Sequence, residues 1–214
     1  MSELAERLVR LRLDINRIAD RCGRDPSDVE LVVASKRRSD AEIAQLAAAG
    51  QRLFGESRVQ EFSQRKIEGP KWHFIGTLQR NKVRQVVGRA ALIHSVDTPQ
   101  LAGKIADVAE EFGIVQPILL QVNVSGEESK HGLSPEQWEN HLPSSPSLEV
   151  RGLMTMAPKS EDQQVVRSCF ATLRRLCDRW GLKELSMGMS SDYPIAIEEG
   201  ATLIRIGHLL FEST

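Results

Sequence analysis

The 214 residues carry 28 Lys and Arg against 29 Asp and Glu, a net charge of −1, so no global field draws the chain to nucleic acid or to an anionic membrane surface. With 41% hydrophobic and 27% charged residues, the composition is that of a globular protein with one substantial core, which excludes disordered and fibrous classes. Three cysteines without metal-ligand spacing, no signal-like start and no apolar run of membrane-spanning length exclude a disulfide scaffold and a helical membrane protein, and the expected compartment is the cytoplasm.

Residues 3–20 form an amphipathic helix with Leu4, Leu8, Leu11, Ile15 and Ile18 on one stripe, ended by Cys22-Gly23. Asp25-Pro26-Ser27 turns the chain into a first strand, Leu31 to Ala34, a β-branched run too short for a typical helix. Ser39-Asp40 opens a helix with Ile43, Leu46 and Ala47 at helical spacing, ending at Gly50. A second strand spans 52–55, and Ser57 is expected to cap a helix with Val59 and Phe62 facing inward. A third strand over 71–76, stopped by glycine, precedes a helix through Asn81, Val83, Val86 and Val87. A fourth strand follows at 91–96, then a helix from Asp97-Thr98-Pro99 with Leu101, Ile105, Val108 and Phe112 on its core face.

The fifth strand is 117–124, and the polar, glycine-bearing segment 125–132 is expected to be a mobile loop. Ser134-Pro135-Glu136 opens a short helix, and Pro143 and Pro146 turn the chain into a sixth strand over 148–154. A long amphipathic helix is marked by Val165, Val166, Cys169, Phe170, Leu173, Leu176 and Trp180; Cys169 and Cys177 lie about two turns apart on it, too far to pair. A seventh strand (184–187), a helix (193–199) and an eighth strand (202–206) complete the chain. Eight strands alternating with helices predict a parallel sheet with right-handed crossovers, closed as a (β/α)8 TIM-type barrel in one domain over 1–214, with the extra N-terminal helix packed on it. An open doubly wound sheet is the alternative, but no glycine-rich phosphate loop follows the first strand.

Barrel chemistry gathers at the carboxyl ends of the strands. Lys36 stands just past the end of the first strand; buried there, its amine would lose part of its proton affinity and attack an aldehyde, whereas the plain reading is a lysine reaching into solvent. The turns after the seventh and eighth strands are the fold's common phosphate site. There Gly188 and Gly207 admit backbone amides, Ser190 adds a hydroxyl, and a helix starting near His208 would aim N–H groups at an anion; the glycines could equally only shape turns. Arg205 interrupts an apolar strand and either belongs to a structural ion pair or donates to a ligand. His73 reads as a hydrogen-bonded core residue, Arg80-Asn81-Lys82-Val83-Arg84 as a solvated helix face, and Met154, Met156, Met187 and Met189 as packing. The five histidines show no metal-ligand spacing, so no metal is expected.

These residues resemble the pyridoxal phosphate homeostasis proteins, small relatives of the alanine racemase barrel. The likeness runs almost end to end through Val33-Ala-Ser-Lys36, Phe54-Gly-Glu-Ser-Arg-Val-Gln-Glu61, Trp72-His-Phe-Ile-Gly76, Leu78-Gln79, Asn81-Lys82, Gln121-Val-Asn-Val124, Ser129-Lys-His-Gly132, Gly152-Leu-Met-Thr-Met156, Leu185-Ser-Met-Gly-Met-Ser190, Asp192 and Arg205-Ile-Gly207. The resemblance implies pyridoxal 5'-phosphate held as an aldimine of Lys36, phosphate contacts from Ser190, Gly207 and the backbone at His208, and Arg205 facing the pyridine nitrogen. Met189 and Ser57 join the implied cofactor-binding set. Ser57 stands where the family usually has asparagine, and His208 where it has a small hydroxyl residue, leaving the backbone as the contact there. Thr77, Arg80, Ser191 and the terminal Phe211-Glu-Ser-Thr also depart from the commoner pattern. An arginine donates to a ring nitrogen rather than protonating it, which favours holding the cofactor over carbanion chemistry.

The resemblance therefore implies a non-enzymatic protein that holds pyridoxal phosphate for vitamin B6 and amino-acid homeostasis, with pyridoxal-phosphate-dependent apoenzymes or a regulatory protein as candidate partners; without the racemases' second domain, a monomer is expected. The alternative is an amino-acid racemase, which in the related barrel uses a second domain and an opposing tyrosine; here Tyr193 is the sole tyrosine and no residues remain for such a domain. A lysine-dependent aldolase or isomerase of sugar phosphates is a third reading.

Overall fold

The structure is a computed structural model of the chain that describes residues 2–127 and 131–211. Helix α1 (Glu3–Arg21) is capped by Ser2 and buries Leu8, Leu11, Ile15 and Ile18, so the predicted stripe is the face that packs. It lies against α2 (Asp40–Ala48), α7 (Tyr193–Glu198) and α8 (His208–Phe211), and so straps the first and last units of the fold together. The strands β1 (Glu30–Ala34), β2 (Leu53–Glu56), β3 (Lys71–Phe74), β4 (Leu92–Val96), β5 (Gln116–Gln121), β6 (Leu148–Met154), β7 (Glu184–Ser186) and β8 (Leu203–Ile206) form a closed barrel in sequence order. All neighbours run parallel, and closure pairs β1 with β8, Val32 opposite Arg205. Between the strands lie α2, α3 (Val59–Gln64), a 3-10 helix (Arg80–Gln85), α4 (Pro99–Glu111), α5 (Pro135–Glu139), α6 (Gln163–Arg179) and α7.

Because the two faces of each strand alternate, one set of side chains packs under the helices and the other fills the barrel. The larger core is the outer one and includes Val33, Phe54, Phe74, Ile93, Ile118, Leu153 and Ile204. Inside, Val32, Leu53, Leu92, Leu119, Met154 and Leu203 form a separate cluster. Gly152 has no room for a side chain: an added Cβ would fall 1.9 Å from the Glu184 carbonyl oxygen of β7.

Several expectations are corrected. Residues 80–85 form a 3-10 helix rather than an α-helix; the buried Val83 and Val86 stand three apart, the repeat of that tighter coil. Arg58, not Ser57, occupies the N-cap of α3, and no side chain caps it. Phe112 and Val165 are exposed, because each sits at a helix end where the core face has turned outward; Phe112 instead carries the guanidinium of Arg84 over its ring. Strand β5 stops at Gln121, and Val122 contributes only an isolated bridge to Leu133. Cys169 and Cys177 are buried free thiols. The expected mobility of 125–132 falls partly on 128–130, and the end of Phe211-Glu-Ser-Thr on 212–214, outside the described residues. No helix among the described residues is long and apolar enough to cross a membrane.

Candidate functional site

Six of the residues singled out in the sequence meet on one face. A cavity of about 1000 Å3 opens at the carboxyl end of the barrel, and Lys36, Met189, Ser190, Arg205, Gly207 and His208 all line it. Ser57 lies at the end of β2 outside that lining; its N–H donates to Glu56 Oε1 at 2.8 Å. The lining also includes Arg37, Arg38 and Lys159, which sequence reasoning missed. Arg37 and Arg38 follow Lys36 directly, a signal that was available; Lys159 comes from beyond β6 and has none.

Lys36 is exposed, not buried, because the cavity is open to solvent at its mouth. Its backbone is nonetheless fixed. The Ser35 N–H donates to the Gly55 carbonyl at 2.9 Å, and the Arg38 N–H closes a turn onto the Ser35 carbonyl at 3.0 Å. Within that turn Arg37 takes a φ of +60°, a left-handed conformation that costs a non-glycine residue and recurs at functional sites.

Beneath this turn is a buried polar cluster. Glu56 is fully buried; its Oε2 accepts from the Ser35 hydroxyl at 3.0 Å and from Arg65 Nη2 at 3.1 Å. Arg65 also donates to Asp40 Oδ1 at 2.6 Å and to the Ser35 carbonyl at 3.2 Å. The cluster ties the ends of β1 and β2 together one residue before Lys36. Glu56→Ala should cost about 3 kcal/mol, the low end for breaking a buried pair, because Arg65 keeps the exposed Asp40. Urea unfolding should show a lower midpoint with an unchanged slope.

On the opposite wall, Gly188 has a φ of +92°, and a Cβ there would meet Ala196 Cβ at 2.5 Å, so only glycine lets the chain leave β7 as it does. The next turn is held by Asp192, whose Oδ1 accepts from the Met189 N–H at 2.6 Å. Burial raises the Asp192 carboxyl above its usual range, against the opposing pull of that N–H and of Arg205. Gly207 packs onto β1: an added Cβ would lie 3.2 Å from the Ala34 carbonyl oxygen. Ser190 Oγ sits 3.4 Å from the Leu209 N–H, at the start of α8.

Arg205 forms the floor, only 6% exposed. Its Nη1 donates to the Ser186 hydroxyl and its Nη2 to the Thr155 carbonyl at 3.0 Å, so neutral acceptors hold it rather than the carboxylate of an ion pair. Burial pushes its pKa down to about 10, partly offset by Asp192, which leaves it a cation at neutral pH. Tyr193 points away from the cavity: its hydroxyl donates to Asp14 on α1, and burial together with Asp14 pushes its pKa up. Among the described residues, no group of three or more His, Cys, Asp or Glu side chains could hold a metal ion.

The arrangement is therefore two primary amines, Lys36 and Lys159, one buried cation, Arg205, and Arg37 and Arg38 at the rim of an open cleft. It suits a ligand with an electrophilic carbon, an anionic group and a hydrogen-bond acceptor.

The family model for the alanine racemase N-terminal domain matches residues 7–214. The pyridoxal phosphate homeostasis protein of Aquifex aeolicus is 43% identical over 220 residues, covering 96% of each chain. The solved structure of PipY from Synechococcus elongatus, with PLP bound, superposes with a TM-score of 0.84 at 36% identity, covering 98% of this chain and all of that one. Alanine racemase of Clostridium difficile shares the fold at a TM-score of 0.75 but only 15% identity, covering 96% of this chain and 56% of the racemase.

Proposed function

The chain belongs to the family of pyridoxal phosphate homeostasis proteins, and on that premise we propose that it holds pyridoxal 5'-phosphate at this cavity, bonded to Lys36, and serves intracellular vitamin B6 and amino-acid homeostasis without catalytic turnover. The observation that carries the reading is the convergence of Lys36, Ser190, Arg205 and Gly207 on one cleft, from strand ends far apart in sequence.

The residues present fit the group. The cleft at about 1000 Å3 is ample for a small aromatic phosphate. Arg37, Arg38 and Lys159 surround its mouth with positive charge suited to a phosphate dianion. Ser190 and the backbone at Gly207 and His208 would hold that phosphate, with Gly207 keeping the wall free of a side chain. Arg205 would donate to the ring nitrogen from the floor. When bound, the cofactor supplies an aldehyde carbon that a primary amine can attack.

The racemase alternative needs a second acid/base group facing the cofactor. The sole tyrosine in the sequence, Tyr193, is engaged with Asp14 on α1, off the cavity. An arginine floor would also donate to the ring nitrogen rather than protonate it, and an unprotonated ring is a weaker electron sink than a pyridinium. Titrating the purified protein with pyridoxal phosphate should raise a saturable band near the violet edge, and the loaded protein should not convert L-alanine or L-serine to the D-form. Absence of the band would overturn the binding claim, and racemisation at an enzyme-like rate would overturn the non-catalytic one.

A further inference from the structure

Four buried polar side chains form a continuous chain through the barrel interior below the cavity. Arg205 Nη1 meets Ser186 Oγ, which lies 2.8 Å from His94 Nδ1; His94 Nε2 lies 2.9 Å from His73 Nδ1. Ser186 and His94 have no exposed surface, and His73 is 6% exposed. Barrels of this class ordinarily fill that space with branched aliphatic side chains. Polar groups there are costly unless every hydrogen finds an acceptor.

The hydrogens can be placed atom by atom. A guanidinium only donates, so Ser186 accepts from Arg205. Among the described residues, the acceptor in reach of the Ser186 hydroxyl hydrogen is His94 Nδ1. A neutral imidazole carries one hydrogen, so His94 keeps its own on Nε2 and donates it to His73 Nδ1, and His73 carries its hydrogen on Nε2, at the one end of the histidine pair that keeps some exposed surface. The reverse order would strand the serine hydrogen in a fully buried site. Burial, with His73 and Arg205 beside it, keeps the His94 ring neutral; burial, with Arg151 and Lys71 nearby, does the same for His73.

We propose that Ser186, His94 and His73 are positioning residues, a one-way donor chain that fixes the Arg205 guanidinium on neutral partners and so reserves its charge for an acceptor atom of the ligand. A carboxylate at the Ser186 position would spend that charge within the protein. The chain does not conduct protons, since the arginine at its head gives none up near neutrality. The consequence for the ligand rests on the function proposed above; the placement of the hydrogens does not.

Long-range proton–nitrogen correlation spectra of the histidine rings, recorded on the protein without added cofactor at pH 7, test the placement directly. His73 and His94 should both be Nε2–H tautomers with an unprotonated, hydrogen-bonded Nδ1. A hydrogen on His94 Nδ1, or an imidazolium at either ring, would overturn the chain. Ser186→Ala should then mix the His94 tautomers and weaken pyridoxal phosphate binding about tenfold, the loss of one charged hydrogen bond, while Ser186→Thr should restore both. Unaltered affinity in Ser186→Ala, alongside the assigned wild-type tautomers, would refute the positioning role. If wild-type protein binds no pyridoxal phosphate, the proposed function fails, and the ring spectra still decide the hydrogen placement.

Discussion

Lys36→Ala is expected to abolish covalent retention of pyridoxal phosphate: the saturable band that the protein adds to the spectrum of free cofactor should be absent, while weaker, non-covalent binding persists. The expectation follows from how the amine is presented. Two backbone links, Ser35 N–H to Gly55 and Arg38 N–H to Ser35, and one side-chain link, the Ser35 hydroxyl to Glu56, fix the turn that carries Lys36, while its side chain is free to reach across the cleft. The proposed phosphate and ring contacts come from other elements, the turn after β7, β8 and the turn after β8, and should survive the substitution. Lys159 is the control, because it lines the same cavity: Lys159→Ala should keep the band and bind less tightly. A band that persists in Lys36→Ala and vanishes in Lys159→Ala would assign the bond to the wrong lysine.

Stability is expected to fall as pH drops from 7 to 5, more than in a barrel with an aliphatic interior. Burial, with Arg151 and Lys71, pushes His73 down to about 4, and burial with His73 and Arg205 holds His94 well below its ordinary value. An unfolded histidine titrates near 6.5. Below that value the unfolded chain binds protons that the folded rings refuse, so stability is full above about 6.5 and is lost as pH falls toward the folded value. At pH 5 the His73 ring alone withdraws about 2 kcal/mol, and His94 adds a loss of the same sign. Against a typical total of about 5–15 kcal/mol, that is a large share. Urea unfolding at pH 7, 6 and 5 measures it, and His73→Gln should remove up to about 1.4 kcal/mol per pH unit of the dependence. A flat profile over that range would mean that the rings are not held neutral.

The barrel was legible because parallel strands are buried on both faces and read as short apolar runs between helical repeats. Runs such as Leu31 to Ala34 and Ile118 to Leu120 left little choice of element. Segment 80–85 was misread because Val83, Val86 and Val87 fit a period of 3 as well as 3.6 over so few residues. The lining of the cleft was legible where it follows from strand ends: Lys36, Ser190, Arg205 and Gly207 are brought together because β8 pairs with β7 on one side and closes onto β1 on the other. The exposure of Lys36 was not, since it depends on walls contributed by distant loops. Nor was the Arg205–Ser186–His94–His73 chain, because a polar residue inside a strand pattern says nothing of partners as far as 92 positions away.

The central question is which atom captures the cofactor. Reduction of the cofactor-loaded protein with borohydride, intact mass measurement and peptide mapping decide it in one preparation. One pyridoxyl phosphate per chain, on the peptide containing Lys36, is the predicted result. No adduct, or an adduct on another lysine, would contradict it.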